Sequence, residues 1–171
     1  MARYTNTAKS ILGFIRAFLG RRFSLAARDE TLNDICNYLP IENLYATSGQ
    51  PSEVQFSLIK DAGYETVINL APTSMIENSV VEEEEILTGL GMTYIHIPVN
   101  FKNPTEDDFR AFTEGLKEGG KVWVHCAANM RVSAFTYRYR TAVLGEDENN
   151  AMSDLLKIWQ PFGVWLEFLQ R

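Results

Sequence analysis

The chain has 171 residues, a length for which one domain is the default and a hydrophobic core forms without staples. Its composition, 46% hydrophobic and 22% charged, is that of a globular protein, and no stretch approaches the ~18 unbroken apolar residues of a membrane-spanning helix. The net charge of −6 conceals an asymmetry. Residues 1–28 hold six of the 16 basic residues (Arg3, Lys9, Arg16, Arg21, Arg22, Arg28) and no acid, leaving 10 basic against 22 acidic residues, a net −12, in the remainder. That acidic body argues against general nucleic-acid binding, which needs a basic footprint.

Residues 8–23 predict an amphipathic helix, with Ile11, Leu12, Phe14, Ile15, Phe18 and Leu19 on one broad face. Three readings stay open for it: a helix packed on the domain or on a partner subunit, a membrane-surface anchor with basic residues beside the apolar face, or an acid-free targeting segment. "FLGRRFSLAARDE" reads as a connector, and "TLNDICNYLP" as a short helix stopped by Pro40. "NLYATSGQP" offers a short strand and a turn; Pro51 then suits the first turn of a helix running to Asp61, with Gly63 as a stop.

"ETVINL" is a β-branched strand, "SVVEEEEILTGLG" a helix, and "TYIHIPV" another strand. Glu82–Glu85 read as a solvated helix face rather than a metal site. "PTEDDFRAFTEGLKEGG" is a helix with Pro104 at its start and acids in its first turn. "KVWVHC" is the last strand; a helix from Arg131 to about Leu144 and one or two more over residues 148–169 complete the chain. Strands alternating with helices predict an α/β fold, a central and mostly parallel sheet flanked by helices, with the extra N-terminal amphipathic helix. The expected division is residues 1–39 as a helical extension and 40–171 as the domain.

Cys36 and Cys126 are too few and too far apart for a disulfide framework. They fit a reducing compartment, hence a cytoplasmic location, where a cysteine can be catalytic. Cys126 stands in "VHCAANMRVSAF", residues 124–135. A cysteine between a buried strand and a helix N-terminus lies at the edge where such sheets bind ligands. Helix N-termini favour thiolates and present N–H groups that cradle phosphate, sulfate or persulfide. Ala127 and Ala128 leave that backbone uncovered, and Asn129 is the non-glycine type best suited to a left-handed conformation. Arg131 supplies a fork for two anion oxygens. Ser133 is expected to donate to the sulfur, and His125 to hold the loop, although a plain core histidine is also open. Ala127, Ala128, Asn129, Met130 and Val132 are candidates for the substrate-binding loop. The alternative for Cys126 is a small buried hydrophobe ending a strand.

"VHCAANMRVSAF" resembles the signature of the cysteine-dependent protein tyrosine and dual-specificity phosphatases, V-H-C-x-x-G-x-x-R-S. "NLYATSGQPSEVQFSLIKDAGYETVINLAP" and "LGMTYIHIPV" are similar to the small bacterial phosphatase-like domain found also in beta-lactamase-hydrolase-like proteins. They are similar, more distantly, to fungal and plant atypical dual-specificity phosphatases. The resemblance covers residues 40–145. It implies a phosphatase-like fold and a phosphorylated protein or small-molecule substrate. It also implies a two-step reaction through a phosphocysteine on Cys126, with no metal or cofactor. Two departures matter. Arg131 comes one residue early, so either Val132 takes the arginine slot and Ser133 keeps its own, or a residue is deleted and the cradle loses about one N–H. Rhodaneses use a shorter loop of that kind, which keeps sulfur transfer open. The second departure is Asn100, standing where the resemblance implies an aspartate as general acid. Asp107, ahead of Asp108, is the substitute, against a plain role at a helix start. Losing the acid costs ~10²–10⁴-fold, so a slow enzyme and a silent phosphate-binding module are both open.

Gln50 and Ser48 are placed near the pocket, against a plain turn. Lys102 would add positive charge there. Cys36 reads as core or as a resolving partner for oxidised Cys126, and Arg138 and Arg140 as partners of the acidic body.

Overall fold

A computed structural model of the chain describes residues 3–22, 30–42, 44–74, 79–80 and 82–171. Strand β1 (Leu39–Ile41) pairs antiparallel with β2 (Tyr45–Ser48). β3 (Thr66–Asn69), β4 (Thr93–His96) and β5 (Val122–His125) join β2 in a parallel block, and the sheet order is β1-β2-β5-β3-β4. The last strand in sequence therefore lies at the centre. Its residues alternate between two cores: Val122 and Val124 point to one face and Trp123 to the other. Both faces are covered, which is why these strands read as unbroken apolar runs.

One core packs against α4 (Glu106–Gly115), α5 (Met130–Arg138), α6 (Glu148–Ile158) and α7 (Val164–Leu169), through Phe112, Phe135, Trp159, Trp165 and Phe168. The other packs against α2 (Glu53–Asp61) and α3 (Glu83–Gly89), through Phe56, Ile59 and Leu87. Arg138 forms a two-pronged pair with Glu106, and Arg140 is held by Glu146 and Asp154. Both arginines thus pair with acidic residues, as their sequence context suggests.

Several elements differ from the sequence reading. The "TLNDICNYLP" segment is a single 3-10 turn (Leu32–Asp34) followed by β1. Pro40 sits inside that strand, where an edge position tolerates its missing N–H. Helix α2 begins after Ser52 rather than at Pro51, because Ser52 and Gln55 form a reciprocal capping box. The helix from Met130 widens into a π-turn over Tyr139–Val143. The division expected at residue 39 falls within β1, and Ile35, just before it, is buried in the α2–α3 core.

The N-terminal helix, α1, spans Arg3–Arg22, longer than the expected 8–23 at its start. The remainder of the expected connector, residues 23–29, lies outside the described residues. Helix α1 is docked on the end of α6. Asn6 Nδ2 donates to the Leu156 carbonyl at 2.8 Å, the Ser10 hydroxyl donates to the Ile158 carbonyl, and Thr7 Oγ1 accepts from the Gln160 amide at 2.8 Å. A helix end leaves its last carbonyls without partners; here α1 supplies them.

Candidate active site

Strand β5 ends at His125, and Cys126 follows with its amide donating to the Ser48 carbonyl at 3.3 Å. Asn129 has φ 64° and ψ 3°, the left-handed turn that opens α5. Its side chain adds what glycine cannot: Nδ2 donates to the Asn37 carbonyl (2.8 Å) and to Thr47 Oγ1 (3.0 Å). Asn37 answers by donating Nδ2 to the Ala128 carbonyl (3.0 Å), and the Gln50 amide donates to the Ala127 carbonyl (3.1 Å). A peptide's C=O and N–H point in opposite directions. Anchoring the Ala127 carbonyl on the β2 side therefore turns the Ala128 N–H the other way, while the bridge between Gly49 and Ala128 keeps the next peptide against β2.

That cavity has a volume of ≈ 350 Å³ and is lined by Cys126, Ala127, Ala128, Met130, Arg131, Phe101, Ile11 and Phe14. Arg131 is on its wall, with its guanidinium carbon 5.3 Å from the centre of the Phe101 ring. Phe101 is itself wedged against Trp159 and Trp165. Val132 is fully buried in the core. Arg131 thus lines the cavity and Val132 does not.

The rest of the expected site divides. Ser133 does not reach the sulfur: its hydroxyl donates to the Met130 carbonyl at 3.0 Å and accepts from Trp159 Nε1 at 3.1 Å, so its one proton is spent on the backbone. Asp107 is not brought to the cavity either. Its side chain is 81% exposed and pairs with Arg110 at 2.7 Å. Asp108 is engaged in the capping box with Thr105, and Glu106 with Arg138. Asn100 is exposed and accepts from the Lys102 amide, closing its own turn; Lys102 is exposed beside it. Among the described residues no carboxylate lines the cavity.

Behind the loop lies a buried polar network that the sequence reading missed. Glu83, one of the four acids expected in solvent, is 5% exposed. One oxygen takes His125 Nε2 at 2.9 Å and Asn69 Nδ2 at 3.1 Å; the other takes Gln50 Nε2 at 2.6 Å. Burial raises its pKa, but His125 and the converging donors outweigh that and hold the carboxyl below the usual value of 4.5. Gln50, expected at the substrate, lies in this network instead, beside His125. A signal for Glu83 was present: it stands four residues before Leu87, and the two are buried on one face of α3.

Gly49 lies between the loop and Cys36. A Cβ there would sit 2.9 Å from the Ala127 carbonyl oxygen and 3.0 Å from Cys36 Sγ. Gly49→Ala should therefore destabilise the fold by about 1–3 kcal/mol, read by thermal or urea unfolding, because the first obstacle is backbone. An unchanged midpoint would show that the loop yields without cost.

No family model matches the sequence. The chain is 34% identical to a candidate phosphatase (DUF442) from Shewanella putrefaciens CN-32, with a TM-score of 0.69 over 81% of this chain and 92% of that one. The chain belongs to the DUF442 family. It is also 32% identical over 94 residues to a beta-lactamase hydrolase-like protein of Xylella fastidiosa (strain Temecula1), a match covering 53% of this chain. The chain spans about a fifth of that relative's length (22%). The core catalytic domain of the PP-IP phosphatase SIW14 from S. cerevisiae, solved with citrate, shares the fold alone. Its TM-score is 0.65 at 13% identity, over 80% of this chain and 85% of that one.

Proposed function

We propose that the site hydrolyses a phosphate monoester through a phosphocysteine. The observation that carries this reading is Arg131 on the same cavity wall as Cys126, at the N-terminus of α5. The Cys126 thiolate attacks phosphorus, and the bond to the leaving oxygen breaks. Arg131 and the loop N–H groups balance the charge gathering on the equatorial oxygens. Water then attacks the thiophosphate, releasing inorganic phosphate and the thiol.

With no carboxylate on the cavity wall among the described residues, the leaving oxygen departs without a general acid. Turnover then depends on the leaving group's own stability as an anion, so aryl phosphates react and alkyl phosphates lag by roughly 10²-fold or more. The expected result is vanadate-sensitive release of p-nitrophenol, with Asp107→Asn within about twofold of wild type, since that carboxylate is solvated. A 100-fold loss in Asp107→Asn would restore Asp107 as the acid, and equal rates on aryl and alkyl esters would overturn the acid-free scheme. Phosphate binding without turnover is a second reading, favoured by the same lack of a carboxylate. It predicts phosphate protection against unfolding with no product at all.

We take residues 40–171 as the phosphatase-like domain and α1 as an element added to it.

A further inference from the structure

The faces of α1 are reversed relative to an ordinary surface helix. A helix packed on a domain normally buries its apolar stripe and exposes its polar one. Here Asn6, Thr7, Ser10 and the small Gly13 face α6 and the Cys36–Asn37 turn. Ile11, Leu12 and Ile15 face outward, at 46%, 49% and 44% exposure. These three fall within one 100° arc, and Lys9 is exposed one turn before Leu12. The hydrogen bonds that hold α1 on the domain come from its polar residues, and Leu12 and Ile15 lie outside both those bonds and the cavity wall.

Charge selects the occupant. Residues 1–28 carry six basic residues and no acid, on a chain otherwise at net −12. An outward apolar arc on a locally basic helix matches a layer that is anionic at its surface and apolar beneath. Pairing arc to arc with a second copy would set two basic helices against each other, whereas an anionic layer neutralises that charge.

We propose that α1 docks this protein on an anionic bilayer, with Leu12 and Ile15 entering the interface and the catalytic cavity opening at headgroup level. Ile11 belongs both to the exposed arc and to the cavity wall, and Phe14, one turn on, lines the same wall. The docking surface and the cavity mouth are therefore continuous. Asn37 connects them further, donating to the Ser10 carbonyl of α1 (3.3 Å) as well as to the Ala128 carbonyl of the loop.

The test is co-sedimentation of the full chain with vesicles of phosphatidylcholine alone and of phosphatidylcholine with phosphatidylglycerol. The comparison is wild type against Leu12→Glu/Ile15→Glu, two positions off the cavity wall. Binding to the anionic vesicles is expected, weakening with salt and falling about tenfold or more in the double variant. The melting temperature and p-nitrophenyl phosphate turnover of the variant should match wild type. Three results would overturn the proposal: no binding to anionic vesicles, equal binding by the double variant, or a wild-type dimer that the double variant dissolves. Vesicle binding does not depend on turnover, so a catalytically silent protein that binds would sink the phosphatase reading and leave the docking intact.

Discussion

Cys126→Ser abolishes release of p-nitrophenol, lowering turnover by roughly 10⁴-fold or more to background. The hydroxyl is far less acidic than the thiol and is a poor nucleophile at neutral pH. Nothing else on the cavity wall can replace it, since the other lining groups are apolar side chains, exposed backbone and Arg131. Serine is close in size, so the fold and the anion cradle persist. Phosphate or vanadate should still raise the melting temperature of the variant. Wild type mixed with substrate and quenched in acid should carry the mass of one phosphoryl group on Cys126, and the variant should not. Product formation by the variant at the wild-type rate would remove Cys126 from the mechanism.

Glu83→Ala destabilises the protein by about 3–5 kcal/mol, a shift on the order of 10 °C in the melting temperature. The deletion leaves His125 Nε2, Gln50 Nε2 and Asn69 Nδ2 facing a hole with no acceptor, inside a site closed to water. The exposed neighbour Glu84 is the control, and Glu84→Ala should stay within about 0.5 kcal/mol. The same carboxylate gives the stability a pH dependence. Its folded pKa lies below the usual 4.5, so its contribution is complete above that value. The contribution is lost as pH falls from 4.5 towards the depressed folded value, because the unfolded chain takes up the proton first. Urea unfolding at descending pH should show wild type losing stability there more steeply than Glu83→Gln. Parallel profiles would mean that Glu83 is not ionised in the fold.

The parallel block of the sheet was legible because period and chemistry agreed: apolar runs at β3 and β5, with glycines and prolines between elements. The cysteine loop was legible for the same reason, and Asn129 identified its own left-handed turn. What failed depended on partners far away in sequence. Pro40 read as a helix stop because nothing local announces a three-residue edge strand; pairing with Tyr45–Ile41 register creates it. Glu83 read as solvent-facing because four consecutive acids hide which one turns inward, and its partners come from three other elements. For Asp107 the sequence records the acid and Arg110 three residues on, but not the direction of the first helical turn, which leaves its side chain in solvent. Phe101 gave no signal at all: its position against Arg131 is set by Trp159 and Trp165, nearly 60 residues later.

The docking of α1 on α6 joins residues 150 positions apart. On a ribosome, α1 is made well before its receptor. At ~5–20 residues per second, the helix waits roughly 10–30 s for Leu156 and Ile158 to be made. Throughout that interval Asn6 and Ser10 have no α6 carbonyls to cap. The wall that Ile11 and Phe14 supply is thus seated only once α6 has been made. A nascent chain carrying the whole of "VHCAANMRVSAF" still lacks that side of its pocket, and Cys126 is enclosed only once α1 meets α6.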